Sequence, residues 1–258
     1  MKTFGSVCLC CVLGLMVGCS RKTTDESASN VPVKPAVSYF KVDVANAGSV
    51  TGTVRYRGQR PVPKVIDMSS DPACVEAHHG KAFDESLIIG PKGSVGNAFV
   101  YIKAGLEGKN FESPTTPVTI DQRGCWFRPH VVGVQTNQPL QVINSDPVTH
   151  NIHPMAAVNR EWNHSQGPDD PPITRKFIKP EVMIRVKCNI HNWMHAYIGV
   201  LEHPYFVVSG EDGSFEIKNL PAGTYTIAVW QEKLGTEEQT ITVSPQKSAT
   251  ADFMFKGR

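Results

Sequence analysis

The chain has 258 residues, with 26 Lys and Arg against 24 Asp and Glu and a formal net charge of +2. At 40% hydrophobic and 19% charged residues it can bury a core along most of its length, which excludes a largely disordered chain. The near-neutral balance gives no basic footprint for nucleic acid, and 21 Gly and 19 Pro with few helical periods point to short strands joined by turns.

Taken from the N-terminus, Lys2 followed by the apolar run from Phe4 to Val17 reads as an export signal, too short to span a bilayer. Its end, Met16-Val17-Gly18-Cys19, resembles the bacterial lipobox. That resemblance implies removal of residues 1–18 and lipid on the Cys19 thiol, giving a membrane-anchored lipoprotein facing the periplasm or cell surface. An ordinary secretory signal cut nearby is the alternative, and either way the chain is exported. Residues 19–45, rich in Ser, Thr, Lys, Asp and Pro and without a period, read as a flexible tether.

From Gly48 the pattern is β. Val50, Gly52 and Val54 alternate with Ser49, Thr51, Thr53 and Arg55, the signature of a strand with one buried face. Further strands are expected at Ala98–Lys103, Pro117–Asp121, His130–Gln135, Leu140–Asn144, Glu181–Lys187, Ala196–Leu201, Ser214–Lys218, Thr224–Trp230, Gln239–Val243 and Ala249–Met254. Many short strands without βαβ alternation predict an all-β sandwich protein.

Seven cysteines narrow to three if Cys8, Cys10 and Cys11 leave with the signal and Cys19 carries lipid. Cys74, Cys125 and Cys188 amount to one disulfide and one odd thiol in an oxidising compartment. If Cys188 has another task, Cys74 and Cys125 form the pair, closing a loop of about fifty residues worth on the order of 4 kcal/mol. The alternative is a second metal site drawing on these cysteines with His78, His79 and His130. Against it, no tight ligand pair such as C-x-x-C occurs there.

The chemistry concentrates in two stretches, Val142-Ile143-Asn144-Ser145-Asp146-Pro147-Val148-Thr149-His150-Asn151 and Val186-Lys187-Cys188-Asn189-Ile190-His191-Asn192-Trp193-Met194-His195. One thiolate, two imidazoles and a weak axial thioether are the ligand set of a blue-copper electron-transfer site. Cys188, His150, His191 and Met194 supply these groups, and both stretches follow expected strands, so a rigid scaffold would hold the ligands. A structural zinc site of Cys188, His150, His191 and His195 is the bland alternative, as is a plain buried thiol. No oxyanion donors or orienting acid stand at a readable spacing for Cys-His catalysis.

Cys188-x-x-His191-x-x-Met194 closing a strand, with His150-Asn151 after an upstream strand, resembles the cupredoxins, the short spacing being most similar to amicyanin. Gln138 to Asn144 and His150-Asn151-Ile152-His153 share the likeness. The resemblance implies one type 1 copper ion, hydrogen bonds from Asn151 tying the two ligand loops together, and an exposed ring edge of His191 as the electron route. Trp193, Pro154 and Met155 would form an apolar collar for a redox protein partner.

A second resemblance brackets the first. Asp212-Gly213-Ser214-Phe215 through Thr224-Tyr225 looks like the carboxypeptidase regulatory-like domain, a small transthyretin-type sandwich, with Gly48 to Val54 and Val95 to Tyr101 as its earlier strands. It implies a split domain at 46–107 and 204–258, with the cupredoxin unit at 108–203 inserted in it; such insertion leaves the host core intact when the inserted ends lie close together. The function expected is an exported single-electron carrier without a substrate of its own. A non-redox sandwich that binds carbohydrate or protein around a structural metal is the alternative, and a copper enzyme is disfavoured because no second cluster of His-x-His ligands is visible.

Overall fold

A computed structural model describes residues 37–78 and 81–257; the expected signal segment, Cys19, most of the tether and His79 lie outside the described residues. The chain is built of short β-strands, the one α-helix among the described residues being the six-residue Pro72–Ala77. No helix among them is long and apolar enough to cross a membrane.

Four sheets pair into two sandwiches. In the first, Gly48–Arg57 lies beside Ser214–Leu220 and is continued on its other edge by Ser248–Thr250 and then Phe253–Lys256. The opposing sheet runs Phe206–Val208, Phe99–Ala104, Gly223–Gln231, Gly235–Val243. Val50, Val54, Ile102, Phe215, Ile227 and Phe253 close the core between them. The expected strand Ala249–Met254 is broken in two for a local reason: at Asp252 the side-chain carboxylate accepts the Thr53 N–H at 2.8 Å, in place of a backbone carbonyl.

The second sandwich lies between these parts of the chain. Its five-stranded sheet runs His164–Gln166, His150–Pro154, Glu181–Lys187, His195–Leu201, Val131–Gln135, and its four-stranded sheet runs Ile173–Arg175, Leu140–Asn144, Val118–Gln122, Phe127–Arg128. Two pairings are parallel, Val131–Gln135 with His195–Leu201 and Val118–Gln122 with Leu140–Asn144, so the chain crosses between sheets instead of meandering. The core contains Ile120, Val134, Leu140, Ile152, Ile184 and Ile198, together with Cys188 and Met194. Putting the two ligand stretches on neighbouring strands of one sheet, through Val186↔Pro154 and Lys187↔His153, brings His150 and Cys188 to the same end.

An excursion between Arg57 and Phe99 leaves the first sandwich and covers that end of the second. Met68, Cys74 and Ala82 from the excursion pack against Cys125 and Trp126 as a small separate core, with Trp193 at its edge.

The two sandwiches meet through aromatic side chains. Gly133 and Gly199 sit opposite one another on paired strands. A Cβ on Gly199 would lie 2.5 Å from the fully buried Phe99 ring, and one on Gly133 would lie 2.3 Å from Phe206. The bare backbone at both positions is therefore what lets the rings seat. Gly199→Ala is expected to lower unfolding stability by about 1–3 kcal/mol through overpacking, measured by denaturant titration; an unchanged midpoint would show that Phe99 moves freely.

Candidate metal centre

The site is assembled from two directions. Leu140–Asn144 ends in a turn in which the Asn144 side chain donates to the carbonyls of Val148 and Gln166 and its Oδ1 accepts the Asp146 N–H. This turn delivers Asp146 and His150 at opposite ends of a five-residue span. Glu181–Lys187 delivers Cys188, after which a tight loop closes when the Cys188 N–H donates to the Met194 carbonyl and the Met194 N–H to the His191 carbonyl, both at 3.0 Å. The thiol sulfur accepts three backbone N–H groups, from His191 at 3.3 Å and from Asn151 and Ile190 at 3.4 Å.

The orientation of the two imidazoles is fixed by carboxylates. Nε2 of His150 lies 2.7 Å from Oδ2 of Asp146, and Nε2 of His191 lies 3.0 Å from Oδ2 of Asp71. A carboxylate only accepts, so each Nε2 carries the proton and donates it. The two Nδ1 atoms face each other at 3.0 Å, a gap that a proton on His150 bridges in the metal-free protein and that a metal ion would take over from it, with the Cys188 sulfur 4.0 Å from Nδ1 of His191. His150, Cys188 and His191 are all buried, with their ligand atoms within 4.8 Å of one another. Metal–ligand bonds of about 2.0–2.3 Å place neighbouring nitrogens about 3.3 Å apart and nitrogen and sulfur about 3.6 Å apart. The 3.0 Å and 4.0 Å separations lie near those spacings, and carboxylate partners on the remote nitrogens are the usual support of metal-bound imidazoles. The donor set fits a soft ion such as copper.

Electrostatics favours the anionic sulfur. Burial pushes the Cys188 thiol up, but hydrogen bonding with His150 and the three backbone N–H groups outweighs it, and the thiol is held below its ordinary range. Burial likewise works against a charged His150, yet Asp146 and Cys188 raise it to about 9. Asp146 is itself opposed by burial and held low by His150 and by the N–H groups of Cys125 and Gly124. Those two N–H groups belong to a turn with left-handed backbone at Gly124 and Cys125, which wraps both donors around the carboxylate at 2.7 and 2.8 Å.

Met194 is fully buried in the same core as Cys188. Asn151 Oδ1 accepts the Asn189 N–H at 3.2 Å, while the Asn151 N–H donates to the sulfur, so this residue joins the two ligand stretches. Cys74 and Cys125 form a disulfide with Cα atoms 5.6 Å apart, and Cys188 is the free thiol among the described residues. His78 does not join a cysteine cluster; its Nε2–H donates to the Gly124 carbonyl at 2.6 Å.

Two expectations are overturned. His191 shows no exposed ring edge, being only 3% accessible. The excursion from the first sandwich covers it: Asp71 takes its Nε2–H, and Cys74 Sγ lies 3.8 Å from the same nitrogen. Asp71 also caps the helix Pro72–Ala77 by accepting the Ala73 N–H, which holds the carboxylate in place. The apolar collar is not assembled as expected either, since Pro154 is buried and Met155 exposed. Trp193 alone stacks on His191, with centroids 5.1 Å apart, and its indole N–H donates to the Cys125 carbonyl. Sequence reasoning missed Asp71 and Asp146. Asp146 four residues before His150 was a readable signal; Asp71, 120 residues from His191, carried none.

The sequence model for the family described as polysaccharide lyase family 4, domain II, matches residues 201–251. No curated protein matches the chain. Solved structures similar to it include a copper-containing nitrite reductase from Thermus scotoductus SA-01, 21% identical with a TM-score of 0.32 over 39% of this chain and 25% of that one. A purple cupredoxin from Nitrosopumilus maritimus is 16% identical, with a TM-score of 0.28 over 32% of this chain and 98% of its own. A reduced amicyanin variant is 19% identical, with a TM-score of 0.29 over 39% of this chain and 97% of its own. The chain therefore spans about a quarter of the nitrite reductase.

A metal entering this site must displace the proton that His150 holds on Nδ1 up to a pH of about 9. Affinity should rise with pH and level off above that value, read by chelator competition between pH 6 and 10. In the metal-free protein the raised value has the opposite consequence. Its stabilising contribution is complete below about 6.5 and is lost as pH climbs through about 9, so the unfolding midpoint should fall across that window. A flat profile in both measurements would show that His150 is neutral throughout.

Proposed function

We propose that the protein is an exported, lipid-anchored, mononuclear type 1 copper protein that carries single electrons between redox partners at the periplasm or cell surface. The observation that carries this reading is the convergence of two carboxylate-oriented Nδ1 lone pairs on the buried Cys188 sulfur. Copper held there supplies a one-electron couple between its two ordinary oxidation states. Cys188, His150 and His191 would form the ligand plane, and Met194, buried beside Cys188, the axial sulfur.

The surrounding residues keep that geometry constant. Three N–H groups on the sulfur and a carboxylate behind each ring resist rearrangement, so little reorganisation would accompany electron transfer. Asp71 and the Cys74–Cys125 disulfide shut water from His191, which makes half-buried Trp193 the contact through which an electron would reach the surface. The carrier has no substrate in this reading, and its partners are proteins.

A non-redox module that holds carbohydrate or protein, with a structural metal at Cys188, is the second reading; it draws on the match of residues 201–251 to a polysaccharide lyase domain. Absorption spectroscopy separates the two. Protein loaded with Cu(II) should show an intense thiolate-to-copper charge-transfer band in the visible, lost in Cys188→Ser. A colourless protein that instead holds stoichiometric zinc at Cys188 would contradict the carrier and favour the module.

A further inference from the structure

A second cluster of metal-binding side chains lies away from Cys188, where the two sandwiches meet. His130, just before Val131–Gln135, and His195, the first residue of His195–Leu201, come from the second sandwich; Glu232, just after Gly223–Gln231, comes from the first. The ligand atoms of all three lie within 4.8 Å of one another. Nε2 of His130 is 2.9 Å and Nε2 of His195 is 3.4 Å from the same oxygen of Glu232, Oε2. The side chains of His130 and Glu232 are each 3% exposed.

Nδ1 of His195 lies 3.0 Å from the Trp193 carbonyl, which only accepts, so Nδ1 carries a proton. Nε2 of His195, facing Oε2 of Glu232, is then the ring atom that takes either a second proton, giving a buried ion pair, or a metal cation. A ring N–H bound to a backbone carbonyl is the usual support of a metal-bound imidazole. Tetrahedral coordination with bonds of about 2.0–2.1 Å spaces ligand atoms about 3.3 Å apart, close to the 2.9 and 3.4 Å separations present. The charged neighbours balance one another: Lys233 is 3.7 Å from the other Glu232 oxygen, and along the cleft that His195 lines Asp67 and Asp84 stand with Lys64 and Arg185, so a bound ion would draw its attraction from Glu232 itself. That cleft, about 660 Å³, reaches the cluster on its His195 side, the one of the three residues that lines it.

We propose that His130, His195 and Glu232 bind one zinc-type divalent cation, with water in the fourth position, and that the ion ties the two sandwiches together. The site shares no ligand with Cys188, His150, His191 and Met194. Neither the spacing of the sequence nor any His-x-His pair announces it, because its third ligand is 102 residues from the first.

The test uses the exported chain with Cys188→Ser, which removes the thiolate that would compete for zinc. One equivalent of Zn²⁺ should bind by chelator competition, raise the thermal midpoint, and bind at least ~10-fold more weakly when Glu232→Gln is added, a ligand loss costing no less than the loss of an outer-shell partner. In the otherwise unsubstituted chain, Glu232→Gln should leave the copper charge-transfer band unchanged, which separates failure of this site from failure of the copper site. Should Glu232→Gln not fold, imidazole ¹⁵N spectra of the Cys188→Ser chain decide: Nε2 of His130 and His195 should shift on adding Zn²⁺ while the Nδ1–H of His195 persists. No zinc uptake, unchanged affinity in folded Glu232→Gln, or unmoved His130 and His195 signals would each overturn the proposal.

Discussion

Two imidazole rings, each pinned from behind by a carboxylate, turn their remaining lone pairs toward one another beside a thiol sulfur. In an apolar interior three electron-rich atoms at this spacing repel unless the proton that His150 holds below about pH 9, or a metal cation, lies among them. Much of the surrounding structure serves that arrangement. Asp146 is held by a left-handed turn at Gly124 and Cys125, that turn is joined to Cys74 by the disulfide, and Cys74 sits in the helix whose cap is Asp71. The two carboxylates that orient the rings are thus mechanically linked to each other through a covalent bond, and the disulfide loop constrains the site as well as the unfolded chain.

The division of labour between the sandwiches follows from this. The second supplies the sulfur and the His150 imidazole at strand ends of one sheet and the His191 imidazole from the tight loop between two of its strands, closed by backbone hydrogen bonds. The first contributes little apolar surface to the centre but sends out the excursion that closes it. The glycine pair at the junction lets Phe99 and Phe206 press against bare backbone, so shape seats the two bodies there, beside the buried contacts of His130 and His195 with Glu232. A centre covered this way is drier than one with a ring edge in solvent. Dryness strengthens every hydrogen bond to the sulfur and narrows the exit for an electron to Trp193.

How much of this could be read from the chain varied with the distance over which each feature acts. The strands Leu140–Asn144 and Glu181–Lys187 match their expected bounds because alternation of apolar and polar residues is a local signal. The strand His150–Pro154 was not among those expected, since His150 and Asn151 are polar; they are nonetheless buried, their polar atoms being taken up by the centre. The clustering of His150, Cys188 and His191 was legible from the types and spacing of the residues. The cover over His191 was not, because it depends on Asp71 and Cys74 arriving from more than a hundred residues away. His130, His195 and Glu232 were unreadable for the same reason.

Copper K-edge X-ray absorption on the loaded protein tests the account most directly, because it reports the atoms around the ion regardless of colour or fold. The account predicts one short sulfur scatterer together with the multiple-scattering pattern of two imidazoles, and loss of the sulfur in Cys188→Ser. A first shell of nitrogen and oxygen alone in the unsubstituted protein would contradict it.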